Sequence, residues 1–285
     1  MNSYLSFAKR GRSAWWRYML TPVVGLAFAM LALALLSIGL ALLHLLPLDL
    51  ARQMQNPANP WIFFAAIAVV FAALGGGLAA AAALIQRKRP ADIIGTWRWR
   101  LALSGLLLWL AVQVILSGVD FALVPSGFSW AGHTTPFLAL GIFGAIMVQT
   151  FTEEFIFRGF VTQGILLALR RPLPAACLSG LVFGAMHIPN GWPQAINATW
   201  FGIICALIAI RTGGIALTSG IHLANNYFGA MGVVSGSDVF KNSPGLLVQN
   251  TPQLLWWDLG LAVLALTILP WLLQRLGLLP ESAAA

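Results

Sequence analysis

The sequence predicts an all-α fold, a polytopic membrane helix bundle with about eight transmembrane helices. Three observations predict it. Of the 285 residues, 59% are hydrophobic and only 8% charged, against roughly 25% charged in a typical soluble domain. Apolar runs of about 20 residues, long enough to cross a bilayer, recur along the chain. The basic residues collect in alternate loops between those runs. So few polar side chains cannot cover a soluble surface, which also excludes a disordered chain. Cys177 and Cys205 both sit inside apolar runs, so a disulfide scaffold is excluded as well. The net charge of +8 comes from 16 basic residues spread thinly, which is no nucleic-acid surface.

The spans follow in order. The first, Leu20–Leu46, comes after Lys9, Arg10, Arg12 and Arg17. Its apolar run is longer than the roughly 7–15 residues of a signal sequence and lacks a clean cleavage site, so it is read as a retained span. Trp61–Gln86 and Leu101–Val124 are the second and third. The fourth, Phe137–Leu169, would extend about 50 Å as a straight helix. It must tilt, break near Gly159 or run on along the interface. Leu173–Ile188, Pro193–Ile210, Gly213–Val233 and Leu254–Gln274 complete the set.

With eight spans, the N-terminal basic cluster shares one side with Arg87, Lys88, Arg89, Arg98, Arg100, Arg170, Arg171, Arg211 and Arg275. Only Arg52 and Lys241 fall opposite, and Arg158 alone lies within a span. The positive-inside rule then puts both termini in the cytoplasm. Trp15, Trp16, Trp97, Trp99, Trp256 and Trp257 fall at expected interfaces, as an aromatic belt would. No internal repeat or soluble domain is visible, so residues 1–285 read as a single integral-membrane domain. Pro47–Pro60 and Ser235–Pro252 are its extended polar segments. His44 and His133 read as interfacial, and Asp120 and Asp258, in or near span ends, as partners of neighbouring polar groups.

The remaining ionisable residues carry the functional signal. A charged group in the bilayer costs at least about 2.5–3.5 kcal/mol on insertion scales, yet Glu153, Glu154 and Arg158 stand together in TFTEEFIFRG. Glu154 and Arg158, four apart on one helix face, explain each other as an ion pair. Glu153 points about 100° away and is left for a separate task. His187 ends the stretch GLVFGAMHIPN, one turn after Phe183, where Gly180 and Gly184 form a small-xxx-small face that admits a close helix. By itself His187 reads equally well as a packing residue. In SGIHLANNYF, Asn226 lies four residues after His222 on the same face and Asn225 three after. That pattern serves either a shared ligand atom or interhelical hydrogen bonding.

Together, Glu153-Glu154-x-x-x-Arg158, Phe183-x-x-x-His187 and His222-x-x-x-Asn226 resemble the CPBP intramembrane proteases, the family of type II CAAX prenyl endopeptidases and bacteriocin-processing enzymes. The resemblance covers about Thr150–Asn226, within a motif-bearing core at 137–233. It implies an endopeptidase that hydrolyses a peptide bond of a peptide or membrane-protein substrate at or within the lipid bilayer. It makes Glu153 the base that activates water, with His187 beside it, and gives the oxyanion to His222 and Asn226. Glu154, Arg158, Phe183 and Asn225 would support the site. The resemblance favours a mechanism without a metal; zinc held by Glu153, His187 and His222 is the alternative. It also implies a bacterial cytoplasmic (inner) membrane. Two other classes compete: a proton-coupled transporter, disfavoured by the lack of paired halves, and a non-catalytic immunity or partner protein on the same scaffold.

Overall fold

The computed structural model describes residues 3–45, 49–132, 134–236 and 239–280. His133, Asp238, Glu281 and the last residue of the first expected span, Leu46, lie outside the described residues. The chain folds as an all-α polytopic bundle. Its helices are α1 (Ser3–Ala8), α2 (Trp15–Leu42), α3 (Leu50–Gln53), α4 (Pro60–Ala81), α5 (Pro90–Ile94) and α6 (Trp99–Leu123). After them come α7 (Pro136–Glu153), α8 (Thr162–Leu169), α9 (Pro172–Ala185), α10 (Trp192–Thr212), α11 (Ala216–Tyr227) and α12 (Leu255–Arg275).

Among the described residues, six stretches are long and apolar enough to cross a membrane: Trp15–Leu42, Pro60–Gln86, Trp99–Leu123, Pro136–Leu169, Trp192–Thr212 and Pro252–Arg275. The two other expected positions hold shorter helices, α9 and α11. Pro189 and Gly191, the latter at φ 102°, turn the chain after α9, because proline and a left-handed glycine do not continue a helix. A π-helical turn, Phe228–Gly232, prolongs α11.

Of the alternatives open to the long fourth run, a break near Gly159 does not occur. α7 passes through a π-helical segment, Glu154–Val161, into α8, giving one helix from Pro136 to Leu169. A π turn leaves backbone carbonyls off the α ladder, and such turns recur at functional sites. Here side chains meet the freed groups. Thr162 Oγ1 donates to Phe157 O at 2.8 Å, and the Tyr4 hydroxyl donates to Arg158 O. Gly159 lies against the backbone of α5, where a Cβ would sit 2.9 Å from Ile93 O. Its small size admits a neighbouring helix.

Packing runs α2 on α4, α4 on α7, α9 on α10 and α11 on α6. Glycines allow two of these approaches. A Cβ on Gly202 would lie 2.8 Å from Gly180 Cα, so α9 and α10 touch through the face that the glycine spacing predicts. A Cβ on Gly220 would strike the Ala102 carbonyl oxygen, so α11 lies directly on α6.

The basic loops meet at one end of the bundle. Arg12 N donates to Gln86 O at 2.6 Å, Thr96 N to Gly213 O at 2.9 Å, and Arg211 Nη2 to Pro280 O at 2.6 Å. Arg10 pairs with Asp92 at 2.9 Å, and buried Lys88 donates to Phe7 O, Ala8 O and Gln163 Oε1. The N-terminal segment is thus tied to the loop that carries Gln86, Lys88 and Asp92. At the opposite end three short strands form a sheet of order β1-β3-β2: β1 (Phe128–Trp130), β2 (Val233–Ser235) and β3 (Leu247–Gln249). Much of the polar stretch expected as loop is therefore folded over that end. Trp15, Trp16, Trp99, Trp256 and Trp257 are exposed near helix starts, as an aromatic belt requires, while Trp97 stacks edge-on against Trp99.

Candidate active site

Four elements bring the ionisable residues together. The end of α7 and the π segment supply Glu153, Glu154 and Arg158. α11 supplies His222, Asn225 and Asn226, and the end of α9 supplies Phe183 and His187. α10 closes the floor with Phe201, whose ring centroid is 5.1 Å from that of His222.

Glu154 and Arg158 are both wholly buried and ion-pair at 3.0 Å. The Arg158 guanidinium also lies 4.1 Å from the centroid of Phe183, where the face of the ring attracts a cation. This gives Phe183 a definite part in the site. The same Glu154 oxygen, Oε1, lies 2.9 Å from His222 Nδ1. With that carboxylate paired to arginine, Nδ1–H is the donor, and the contact fixes the orientation of the imidazole. The other ring nitrogen, Nε2, then points at Glu153 Oε2, 3.4 Å away.

Glu153 is held on its other side. Gln149, one turn earlier on α7, donates Nε2 to Glu153 Oε1 at 2.8 Å. Asn226 Nδ2 donates to Gln149 Oε1 at 3.0 Å, and Asn225 Nδ2 to Asn226 Oδ1 at 3.1 Å. Asn225 Oδ1 in turn accepts Trp109 Nε1 of α6 at 3.1 Å. One chain of polar contacts therefore runs from α6 through both asparagines and Gln149 to Glu153. Residue type alone does not single out Gln149. Its position four residues before Glu153, as a polar residue in an apolar run, is the signal that could have found it.

His187 lies where α9 ends. Its Nδ1 is 2.8 Å from Phe183 O, and its ring lies 4.6 Å from that of Phe183. With Nδ1 donating to that carbonyl, Nε2 is left free for another partner. Glu153, His187, His222, Asn225 and Asn226 all line one cavity of about 260 Å³. Glu154 and Arg158 are buried behind it. The cavity walls also include Asn190, Gln194 and Asn197, amides that the sequence motifs did not mark.

Such a set can take a proton from water, donate hydrogen bonds to a developing oxyanion and exclude bulk solvent. It does not converge on a metal: among the described residues, no three or more His, Cys, Asp or Glu side chains are grouped to hold one. His222 Nε2 and Glu153 Oε2 face each other at 3.4 Å, and His187 is not grouped with them as a third ligand. Cys177 and Cys205 are both free, and neither lines this cavity.

Residues 135–228 match the family model described as Rce1-like, the type II CAAX prenyl endopeptidases. The resemblance carried by the three motifs is borne out over the segment that contains them all, about a third of the chain. That is a protease family, and the match supports peptidase activity in an integral membrane protein. A Bacillus subtilis (strain 168) protein named Uncharacterized protein YyaK is 28% identical over 184 residues, 59% of this chain and 61% of that protein. The chain thus spans less than two thirds of the length of this curated relative. No solved structure matches it.

Proposed function

We propose that this protein is an intramembrane endopeptidase that uses Glu153 to activate water against a peptide bond of a peptide or membrane-protein substrate. The observation that carries the reading is the buried relay Arg158–Glu154–His222–Glu153, with Gln149 and Asn226 behind Glu153, opening on a cavity shared with His187.

A peptide bond needs a strong nucleophile and a stabilised oxyanion. Water between Glu153 and His187 gives one proton to the Glu153 carboxylate as its oxygen attacks the carbonyl carbon. His187, fixed through Nδ1 to the Phe183 carbonyl, accepts at Nε2 a hydrogen bond from the second hydrogen, which stays on that oxygen. The carbonyl oxygen becomes an oxyanion, which His222 and a hydrogen bond from the Asn226 amide stabilise. The proton then passes from Glu153 to the leaving nitrogen, the C–N bond breaks, and the carboxylate is restored. Glu154 and Arg158 act on His222 rather than on substrate, as positioning residues. Asn225 positions Asn226.

The basic end of the bundle, with both termini, faces the cytoplasm of a bacterial inner membrane under the positive-inside rule. Comparative membrane proteomics tests the function in cells. Replacing Glu153 by Gln should make a defined set of membrane polypeptides accumulate in longer, uncleaved form. Identical polypeptide patterns with and without the substitution would count against the proposal.

A further inference from the structure

The cavity that holds Glu153 has two unlike sides. One is the polar set of the three motifs, continued on α10 by Gln194 and Asn197. The other is built by α4, a helix outside those motifs. Phe63, Ile67 and Phe71 recur every four residues along it, and all three line the cavity. That spacing puts them on one stripe of a helix, and each is half-buried. The other faces of α4 have different neighbours. Phe64, 2% exposed, belongs to the core cluster with Leu138 and Ile142 of α7, while Trp61 and Val69 are exposed. Phe240, from the segment between β2 and β3, stacks on Phe64 at 6.0 Å and extends the apolar side.

The two sides are held by helices that pack elsewhere, α4 on α2 and α7, and α10 on α9 and α12. Apolar surface turned toward a polar cavity gains from contact with an apolar group. An amide both donates and accepts, as an extended peptide backbone requires. The two sides therefore match the two parts of one substrate residue, its side chain and its backbone. Charge has little place there: Glu153 is the one carboxylate on these walls among the described residues, and no lysine or arginine lines them.

We propose that Phe63, Ile67 and Phe71 form the specificity wall of the site, taking a bulky apolar side chain of the substrate beside the bond that Glu153 reaches, while Gln194 and Asn197 hold the substrate backbone. The proposal rests on the peptidase reading, and it gives the substrate a chemical class: an extended peptide with a large, uncharged apolar residue next to the bond to be cut.

The test uses the full chain in phosphatidylcholine vesicles and synthetic peptides of alanine and glutamine. Each carries one guest residue, Ala, Leu, Phe or Asp, and mass spectrometry locates the cut. Binding is measured in the Glu153→Gln background, with partition into protein-free vesicles subtracted. The cut should fall at a fixed position beside a Leu or Phe guest. That guest should raise kcat/KM at least about tenfold over Ala, the low end for one methylene in an apolar pocket, and Asp should abolish cleavage. Ile67→Ala makes room at the wall, so the Phe-to-Leu ratio should rise by at least about tenfold; Ile67→Phe should move it the other way. Phe71→Leu should act like Ile67→Ala if that variant fails to fold. A wall that served packing alone would lower all peptides together and leave the ratio as it was. The proposal is overturned if no apolar guest is preferred, or if the ratio ignores these substitutions. The two readings fail separately. Binding ratios that follow the substitutions, with no peptide cleaved, would uphold the wall and sink the peptidase. Cleavage without preference would do the reverse, and neither binding nor cleavage would overturn both.

Discussion

Glu154 and Asn226 make the sharpest predictions at the scale of single residues, because structural and catalytic parts separate there. Glu154→Gln leaves Arg158 buried without its counter-ion and His222 without its carboxylate. Breaking a buried pair from one side costs about 3–5 kcal/mol, so this variant should melt far earlier and lose activity with its fold. Its melting temperature in detergent checks this, and an unchanged value would contradict the pairing. Asn226→Ala should behave differently. Loss of one oxyanion donor lowers kcat by about 10²–10³, with substrate affinity and melting temperature largely kept. A residue that only bridged helices would cost about 0.6 kcal/mol of stability and spare turnover per folded molecule. Asn225→Ala is the matched comparison. It should be milder, because Asn225 reaches Glu153 only through Asn226 and Gln149. If Asn225→Ala abolishes turnover and Asn226→Ala does not, the oxyanion role belongs to Asn225.

Among the elements, the position of His222 depends on how closely α11 approaches α6. A methyl group on Gly220 meets the Ala102 carbonyl oxygen, a backbone atom that cannot rotate away. Gly220→Ala should therefore cost about 1–3 kcal/mol, as overpacking does, and displace His222 two residues on, so that turnover per folded molecule also falls. Gly118→Ala, on the open side of α6 with nothing within 4 Å of its new Cβ, should stay within about 0.5 kcal/mol of the parent. Equal melting temperatures for the two variants would contradict the packing. These helices were legible in the sequence to different degrees. The long apolar runs of α2, α4, α6, α10 and α12 announce themselves, since composition alone marks them. α9 is shorter than its apolar stretch suggests because Pro189 and Gly191 turn the chain, and α11 because it starts only at Ala216 and passes into a π turn at Phe228. The π turn at Glu154 has no signature in residue type. It is held by Tyr4 and Thr162, one of them far away in the chain. Strands of three residues carry too few alternating positions to be read from pattern, so the sheet over the site was not foreseen.

For the molecule as a whole, the order of motifs along the chain becomes an order in space. α7, α9 and α11 each bring one motif to a common cavity, while the basic loops gather at one end and the sheet covers the other. The three motifs were visible because ionisable groups are expensive in an apolar chain. The amides Gln149, Asn190, Gln194 and Asn197 were not, since uncharged polar residues are common enough in membrane helices to pass for packing. The role proposed for Glu153 is to activate water within this assembly. Its most direct test is turnover of a peptide by the purified protein in vesicles, with and without Glu153→Gln. Glutamine keeps the shape and a hydrogen bond but cannot take the proton. Turnover should fall by at least about 10²-fold with the melting temperature preserved; near-normal turnover by the purified Glu153→Gln protein would contradict the account.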